Sequence, residues 1–225
     1  MAAEFTLYIG YRTVSSWSLR AWMAMRKVGV PFEERMIRYR LPDQKRELVA
    51  ASPTGKVPLL VHQRGGEEIK VWESLAIGEY LADLFHSRKL WPRDAAARAF
   101  ARSIATEMHS GFRPLRDKLG MELLKTLPGG APYSPEVTAD IKRIESIWRE
   151  ARTVWGEADS GPYLFGHFTV ADAMYMPVAT RFRTYGVTLE PTAEAYKQTL
   201  LADPDFQAWE AQARLDPEPE PLLTT

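Results

Sequence analysis

A small α/β unit over residues 1–86, followed by an all-helical unit over residues 95–225, is the architecture this sequence predicts. Three observations carry it. Short apolar runs punctuated by Gly and Pro lie between residues 5 and 72. From about residue 95 the apolar residues fall into i, i+3, i+4 spacing instead. Between the two stands Ser-Arg-Lys-Leu-Trp-Pro-Arg-Asp, residues 87–94, a polar, proline-containing linker.

In the first unit, residues 5–9 form a strand ended by Gly10, and residues 11–18 a polar loop. Leu19, Trp22 and Met23 then take helical spacing, and Gly29 ends that helix. Residues 32–37 form a second strand. Residues 41–51 read as a polar loop with room for a helix around Lys45, Glu47 and Leu48. Pro53 and Gly55 mark a turn into the apolar run Leu59-Leu60-Val61. Pro58 stands at the mouth of that strand, where a missing N–H costs no ladder bond; an X–Pro bond there reaches the cis form for only about 0.5–1 kcal/mol. Gly65-Gly66 turns a hairpin into residues 69–72. Ile77, Tyr80, Leu81, Leu84 and Phe85 line one face of a helix over residues 74–86, with Ser74 as its N-cap. The order strand, helix, strand, optional helix, strand, strand, helix, with a proline ahead of the third strand, is thioredoxin-like.

In the second unit, Phe100, Ile104, Met108, Gly111 and Leu115 keep one face of a long helix, and residues 126–135 form a loop. Val137, Ile141, Ile144, Trp148, Ala151 and Trp155 trace the next stripe. Residues 156–162 turn the chain. Thr169-Val-Ala-Asp172 is a variant capping box, with Asp in place of the usual Glu or Gln. It opens a helix through Ala173, Met176, Ala179 and Phe182 that contains Pro177. Residues 196–201 and 206–213 give the last helices, and the Pro/Glu-rich tail from Pro217 reads as disordered.

Composition narrows the function. Hydrophobic residues make up 45% of 225, enough for a packed core. Lys+Arg and Asp+Glu are 29 each, so the basic excess of a nucleic-acid binder is missing. The chain has no cysteine, so thiol chemistry requires a thiol carried in by a ligand. Its four histidines show no metal-ligand spacing. No signal-peptide pattern and no run of about 18 apolar residues is present, so a cytoplasmic protein without a membrane partner is expected.

One stretch carries a ligand site. Pro58 turns the backbone of Val57 out of the sheet, and the helix start at Glu73-Ser74 presents free N–H groups and a partial positive charge. An outward backbone beside an anion site suits a small extended ligand with a free α-carboxylate. Residues 52–60, Ser-Pro-Thr-Gly-Lys-Val-Pro-Leu-Leu, with Glu73-Ser74 further on, resemble the glutathione-binding signature of the glutathione S-transferase superfamily. The resemblance implies glutathione as co-substrate, held by Lys56, Val57, Pro58, Glu73 and Ser74, with Arg40, Gln44 and Lys45 as candidates for its glycine end. Phe-Thr-Val-Ala-Asp in a helical second unit resembles the same superfamily, so the likeness spans nearly the whole chain.

Ser15-Ser16-Trp17-Ser18-Leu19-Arg20 resembles the Ser-Ser-Cys-Ser-Trp-Arg motif of zeta-type transferases and maleylacetoacetate isomerases, with Trp17 replacing the Cys. That likeness puts Ser15 and Ser16 on the catalytic serines. A thiol with a pKa near 8.5 is mostly protonated at neutral pH, and lowering it by roughly two units takes about 2.7 kcal/mol. A serine hydroxyl donated to sulfur, together with a helix N-terminus, supplies that kind of stabilisation; plain capping is the alternative for the same serines. The resemblance also places Trp17, Met108, Phe112 and Arg181 in the electrophile pocket, Arg181 as a partner for an acidic substrate. His109 on its own reads as a core or surface histidine. A glutathione transferase acting in detoxification, and a homodimer, is the implied protein. A glutathione-dependent isomerase and a non-catalytic scaffold of the same fold are the alternatives. A reductase of the omega type is disfavoured, because that chemistry uses a cysteine.

Overall fold

The computed structural model describes residues 4–128, 132–156 and 161–219. Its first unit is a four-stranded mixed sheet with strand order β2-β1-β3-β4. Strand β1 (Phe5–Ile9) pairs in parallel with β2 (Glu33–Met36) and antiparallel with β3 (Leu59–Arg64), which pairs antiparallel with β4 (Glu67–Trp72). Phe5, Leu7 and Ile9 of β1 alternate inward, as a half-buried strand requires. Gly65 and Gly66 between β3 and β4 have φ of 60° and 88°, the positive values a two-residue hairpin turn demands.

Helix α1 (Ser16–Val28) and helix α3 (Ser74–Leu84) lie side by side, and α2 (Pro42–Ala51) stays at the periphery with only Leu48 buried. The expected loop over residues 41–51 is therefore helical for ten residues. Its signal was Pro42 in the first turn, where a missing N–H costs nothing, followed by Asp43 at the positive helix end. Two further differences concern helix starts. The first helix begins at Ser16 rather than near Leu19, because the Ser15 side chain accepts from the Ser18 N–H and caps it. The N-cap of α3 is Glu73 and not Ser74. Ser74 is the first helical residue, buried, with its hydroxyl 3.9 Å from the Met174 sulfur.

The second unit is helical: α4 (Ala95–Ser110), α5 (Arg113–Lys118), α6 (Pro135–Ala151), α7 (Val170–Tyr185), α8 (Pro191–Leu201) and α9 (Pro204–Ala213). Helix α7 is buried nearly all round and packs against α1, α4 and α8, so it forms the axis of the unit. The single long helix expected through Leu115 breaks at Ser110. Pro114 explains the break: in a continuous helix its ring would collide with the carbonyl four residues back, that of Ser110. Gly111 goes extended and Phe112 takes φ of 55° before α5 begins. The next stripe also stops short of Trp155, since α6 ends at Ala151 and residues 152–156 form a wider π-turn. Of the loop over residues 126–135, the turn over residues 156–162 and the tail, residues 129–131, 157–160 and 220–225 lie outside the described residues. Among the described residues, no helix is long and apolar enough to cross a membrane.

The two units are bolted together by polar contacts as well as packing. Arg20 Nε of α1 donates to the Met174 carbonyl of α7 at 3.0 Å. Lys27 at the end of α1 pairs with Asp203, whose side chain is fully buried, and with Asp205. Gly78 of α3 is a close-approach residue: a Cβ there would lie 2.8 Å from a methyl of Val170.

Candidate active site

A cavity of about 450 Å³ opens between the N-terminus of α1 and the turn ahead of β3. Ser15, Ser16, Trp17, Lys56 and Val57 line it, with Tyr39, Lys45 and Leu48 on the α2 side. A smaller one of about 170 Å³ shares Trp17, Lys56 and Val57 and reaches Pro58 and Glu73. Through these shared residues the two form one groove, lined by residues of the first unit.

On its floor the Val57–Pro58 peptide is cis, and the Val57 backbone makes no hydrogen bond among the described residues. At one end Glu73 sits at φ 69° and ψ 126°, a conformation that costs a non-glycine residue about 1–3 kcal/mol. That twist leaves the Glu73 carboxylate half-exposed while the first N–H groups of α3 stay open.

The two adjacent serines differ. Ser15 is committed inward: its hydroxyl donates to Ser18 Oγ at 2.8 Å, and its oxygen accepts from the Ser18 N–H at 3.4 Å. Ser18 Oγ in turn accepts from the Gly10 N–H at 2.9 Å, tying the end of β1 to the start of α1. Ser16 Oγ instead accepts from Arg181 Nη2 at 3.3 Å, and its own proton meets no acceptor among the described residues.

Around Trp17 the charges are one-sided. Arg20 lies over its ring at 4.3 Å and Arg116 at 5.3 Å, while His109 meets it edge-on at 5.2 Å. Arg116 is held by the carbonyls of His109 and Gly111, at the break between α4 and α5. Arg20, Arg116 and Arg181 form no ion pair among the described residues, and both terminal nitrogens of Arg20 are buried without a partner. Burial, with Arg181 and Arg116 adding repulsion, holds the Arg20 guanidinium well below its usual range. Burial and then Arg116 bring Arg181 down to about 10, so it keeps its charge at neutral pH. His109 is pushed down by burial, against the pull of Glu73, whose carboxylate is 3.6 Å away.

Other expected site residues lie elsewhere. Met108 is fully buried in the core, because the Met108 face of α4 packs on α7. Phe112 is 8% exposed and turns inward at the helix break. Arg181 does not line the groove; it is 4% exposed and reaches Ser16 from behind. Gln44 uses its carbonyl oxygen on the Arg38 N–H at 2.5 Å, and Arg40 borders a different cavity near Asp216. Of the three candidates Arg40, Gln44 and Lys45, Lys45 lines the groove, joined there by Tyr39, which was not expected. Arg116 was missed. Its signal was Pro114, which forces the break that turns Arg116 toward Trp17.

Residues 14–84 match the family model described as the glutathione S-transferase N-terminal domain. Over 208 residues the chain is 29% identical to a probable maleylacetoacetate isomerase of Caenorhabditis elegans, covering 90% of this chain and 91% of that one. The maleylacetoacetate isomerase of Rattus norvegicus is 26% identical over 92% of both chains. The chain is similar to members of the glutathione S-transferase superfamily, through this N-terminal match and through relatives such as glutathione S-transferase L1 of Arabidopsis thaliana, 24% identical over 90% of this chain. A solved glutathione transferase homolog from Burkholderia GL BGR1, with bound glutathione, superposes on this chain with a TM-score of 0.68 at 25% identity. That match covers 94% of the present chain and 99% of the other. A maleylacetoacetate isomerase from Anaeromyxobacter dehalogenans 2CP-1 shares the superfamily fold, with a TM-score of 0.69 at 22% identity over 97% and 99% of the two chains.

Proposed function

We propose that this protein is a glutathione transferase that binds glutathione along the groove, holds its sulfur as thiolate beside Ser16, and joins it to a small electrophile. Residues 1–86 hold glutathione and residues 95–225 supply the electrophile side. The observation that carries this reading is the convergence, in one groove, of three features: an unpaired Val57 backbone, the Glu73 carboxylate beside open N–H groups of α3, and the Ser16 hydroxyl. They match the backbone, the charged γ-glutamyl end and the thiol of one tripeptide. Lys56 and Lys45 stand at the remaining side, where the glycine carboxylate falls. Ser74 contributes through its backbone N–H, since its hydroxyl faces Met174. The sulfur sits at the N-terminus of α1, whose dipole favours an anion, and the fixed geometry supplies orientation.

Calorimetry of the purified protein with glutathione tests the binding half. Saturable binding is expected, with Glu73→Ala weakening it roughly tenfold, the equivalent of about 1.4 kcal/mol for a half-exposed charged contact. No heat of binding and no retention on immobilised glutathione would overturn the proposal. A homodimer is expected and is read by light scattering.

The unbalanced guanidinium groups of Arg20, Arg116 and Arg181 favour a second reading, a glutathione-dependent isomerase acting on an anionic substrate. Turnover of carboxylate-bearing substrates with glutathione regenerated, and none of neutral nitroaromatic chlorides, would select it.

A further inference from the structure

Arg181 has a place in this site that differs from a substrate contact. It lies on α7, buried behind the N-terminus of α1, and its guanidinium fork is used three ways. Nε donates to the Leu119 carbonyl at 2.8 Å, Nη1 to the Pro177 carbonyl at 3.1 Å, and Nη2 to Ser16 Oγ at 3.3 Å. The two carbonyls belong to rigid backbone, one after α5 and one inside α7, so the third donor arrives at Ser16 with its direction fixed. A hydroxyl oxygen that accepts from a cation has its proton turned away from that cation and made a stronger donor. For Ser16 that direction is the groove, because Ser15, the neighbour that would otherwise compete, already spends its proton on Ser18.

We infer that Arg181 is a positioning residue for the reaction: anchored by Leu119 and Pro177, it orients and polarises the Ser16 hydroxyl so that the proton of Ser16 bonds the sulfur of bound glutathione and favours its thiolate form. The inference rests on the glutathione reading above and names the part of the helical unit that completes it. In this step the thiol proton leaves to water, Ser16 keeps its own, and no bond to Ser16 forms. Arg181 itself stays protonated through the neutral range. The charged and titratable groups facing it are Arg116 from α5, Arg20 from α1 and Tyr185 from its own helix. Arg116 and Arg20 are cations, so they add to the positive potential at the sulfur, and no carboxylate among these neighbours cancels it.

The test is the ultraviolet absorbance of the thiolate of glutathione bound to the protein, titrated against pH. Arg181→Met is expected to raise the thiol pKa by about one unit, a roughly tenfold fall in the ratio of thiolate to thiol at a given pH. The turnover deficit should close as pH rises above the new value, a recovery that a merely structural defect would not produce. In a Ser16→Ala background, Arg181→Met should add a clearly smaller shift than in the wild type, because the part relayed by that hydroxyl is already gone and only the direct effect of the charge is left. Should the methionine variant fail to fold, Arg181→Lys decides. Lysine keeps the charge but cannot reach two carbonyls and the hydroxyl together, so the thiol pKa should fall between those of the wild type and Ser16→Ala. An unchanged thiol pKa in the Arg181 variants, with Ser16→Ala raising it, overturns the inference and leaves Ser16 in its role. A wild-type protein that binds glutathione with the thiol at its free-solution pKa, or does not bind it, overturns the functional reading as well.

Discussion

Ser16→Ala is expected to lower kcat/KM for conjugation of a chlorinated nitroaromatic roughly 10- to 100-fold, the worth of one hydrogen bond to a charged sulfur, about 1.5–3 kcal/mol. Ser15→Ala should behave differently although the two serines are adjacent and equally buried. It removes the acceptor for the Ser18 N–H and the donor to Ser18 Oγ. The consequence is a loss of about 1 kcal/mol of helix capping with a smaller change in turnover. Thermal melts and kinetics on the two single variants separate these effects. The assignment to Ser16 fails if Ser15→Ala is the slower enzyme at equal stability, or if neither change alters turnover. Substrate saturation adds a check: removal of a bond made to the thiolate should lower kcat with little change in KM for glutathione.

Asp172→Ala is expected to be the most damaging single substitution for the fold. Oδ1 accepts from the Leu164 N–H at 3.0 Å and the Tyr196 hydroxyl at 2.8 Å; Oδ2 accepts from the Thr169 N–H at 2.7 Å and the Thr169 hydroxyl at 2.9 Å. Burial pushes the Asp172 carboxyl up, and these four donors oppose the rise. Alanine strands all four in the interior, at the head of the helix around which the second unit packs. The cost is about 3–5 kcal/mol, a fall of roughly 10 °C in Tm for a chain of this size. Asp172→Asn should fall between, because its amide serves the Oδ1 donors but faces the Thr169 N–H with N–H of its own. Tyr196→Phe removes only one donor and should cost about 1 kcal/mol. A denaturant series in which Asp172→Asn matched the wild type would remove the carboxylate from this role.

Much of the fold was legible because local and tertiary signals agree. The strand at residues 5–9, the Gly65-Gly66 hairpin and the Thr169–Asp172 helix start each combine a period with a punctuation residue, and each lies where expected. The α4–α5 break was misjudged because Leu115 keeps the apolar period across it; the covalent ring of Pro114 outweighs a pattern that only the surrounding core enforces. Helix α2 was under-read for the opposite reason. It buries only Leu48, so no apolar stripe announced it. Of the residues that the motifs single out, Ser15, Ser16, Val57, Pro58 and Glu73 line one groove, and Ser74 does not. The environment of those residues was not legible. That Ser15 points inward while Ser16 meets Arg181 depends on a contact spanning 165 residues, and no local spacing encodes it. Met108 and Phe112 sit on an apolar face whose partner is core rather than ligand, a distinction that periodicity does not contain.

The lone inward leucine of α2 has a mechanical consequence. One bank of the groove, from Trp17 through Glu73, is braced by the core behind α1, α3 and α7. The other, carrying Tyr39 and Lys45, hangs from a ten-residue helix with a single apolar peg. Amide protons of α2 should therefore trade with deuterium well before those of α1. Filling of the groove should slow α2 the most, so that the cost of enclosing a guest is borne by the compliant wall.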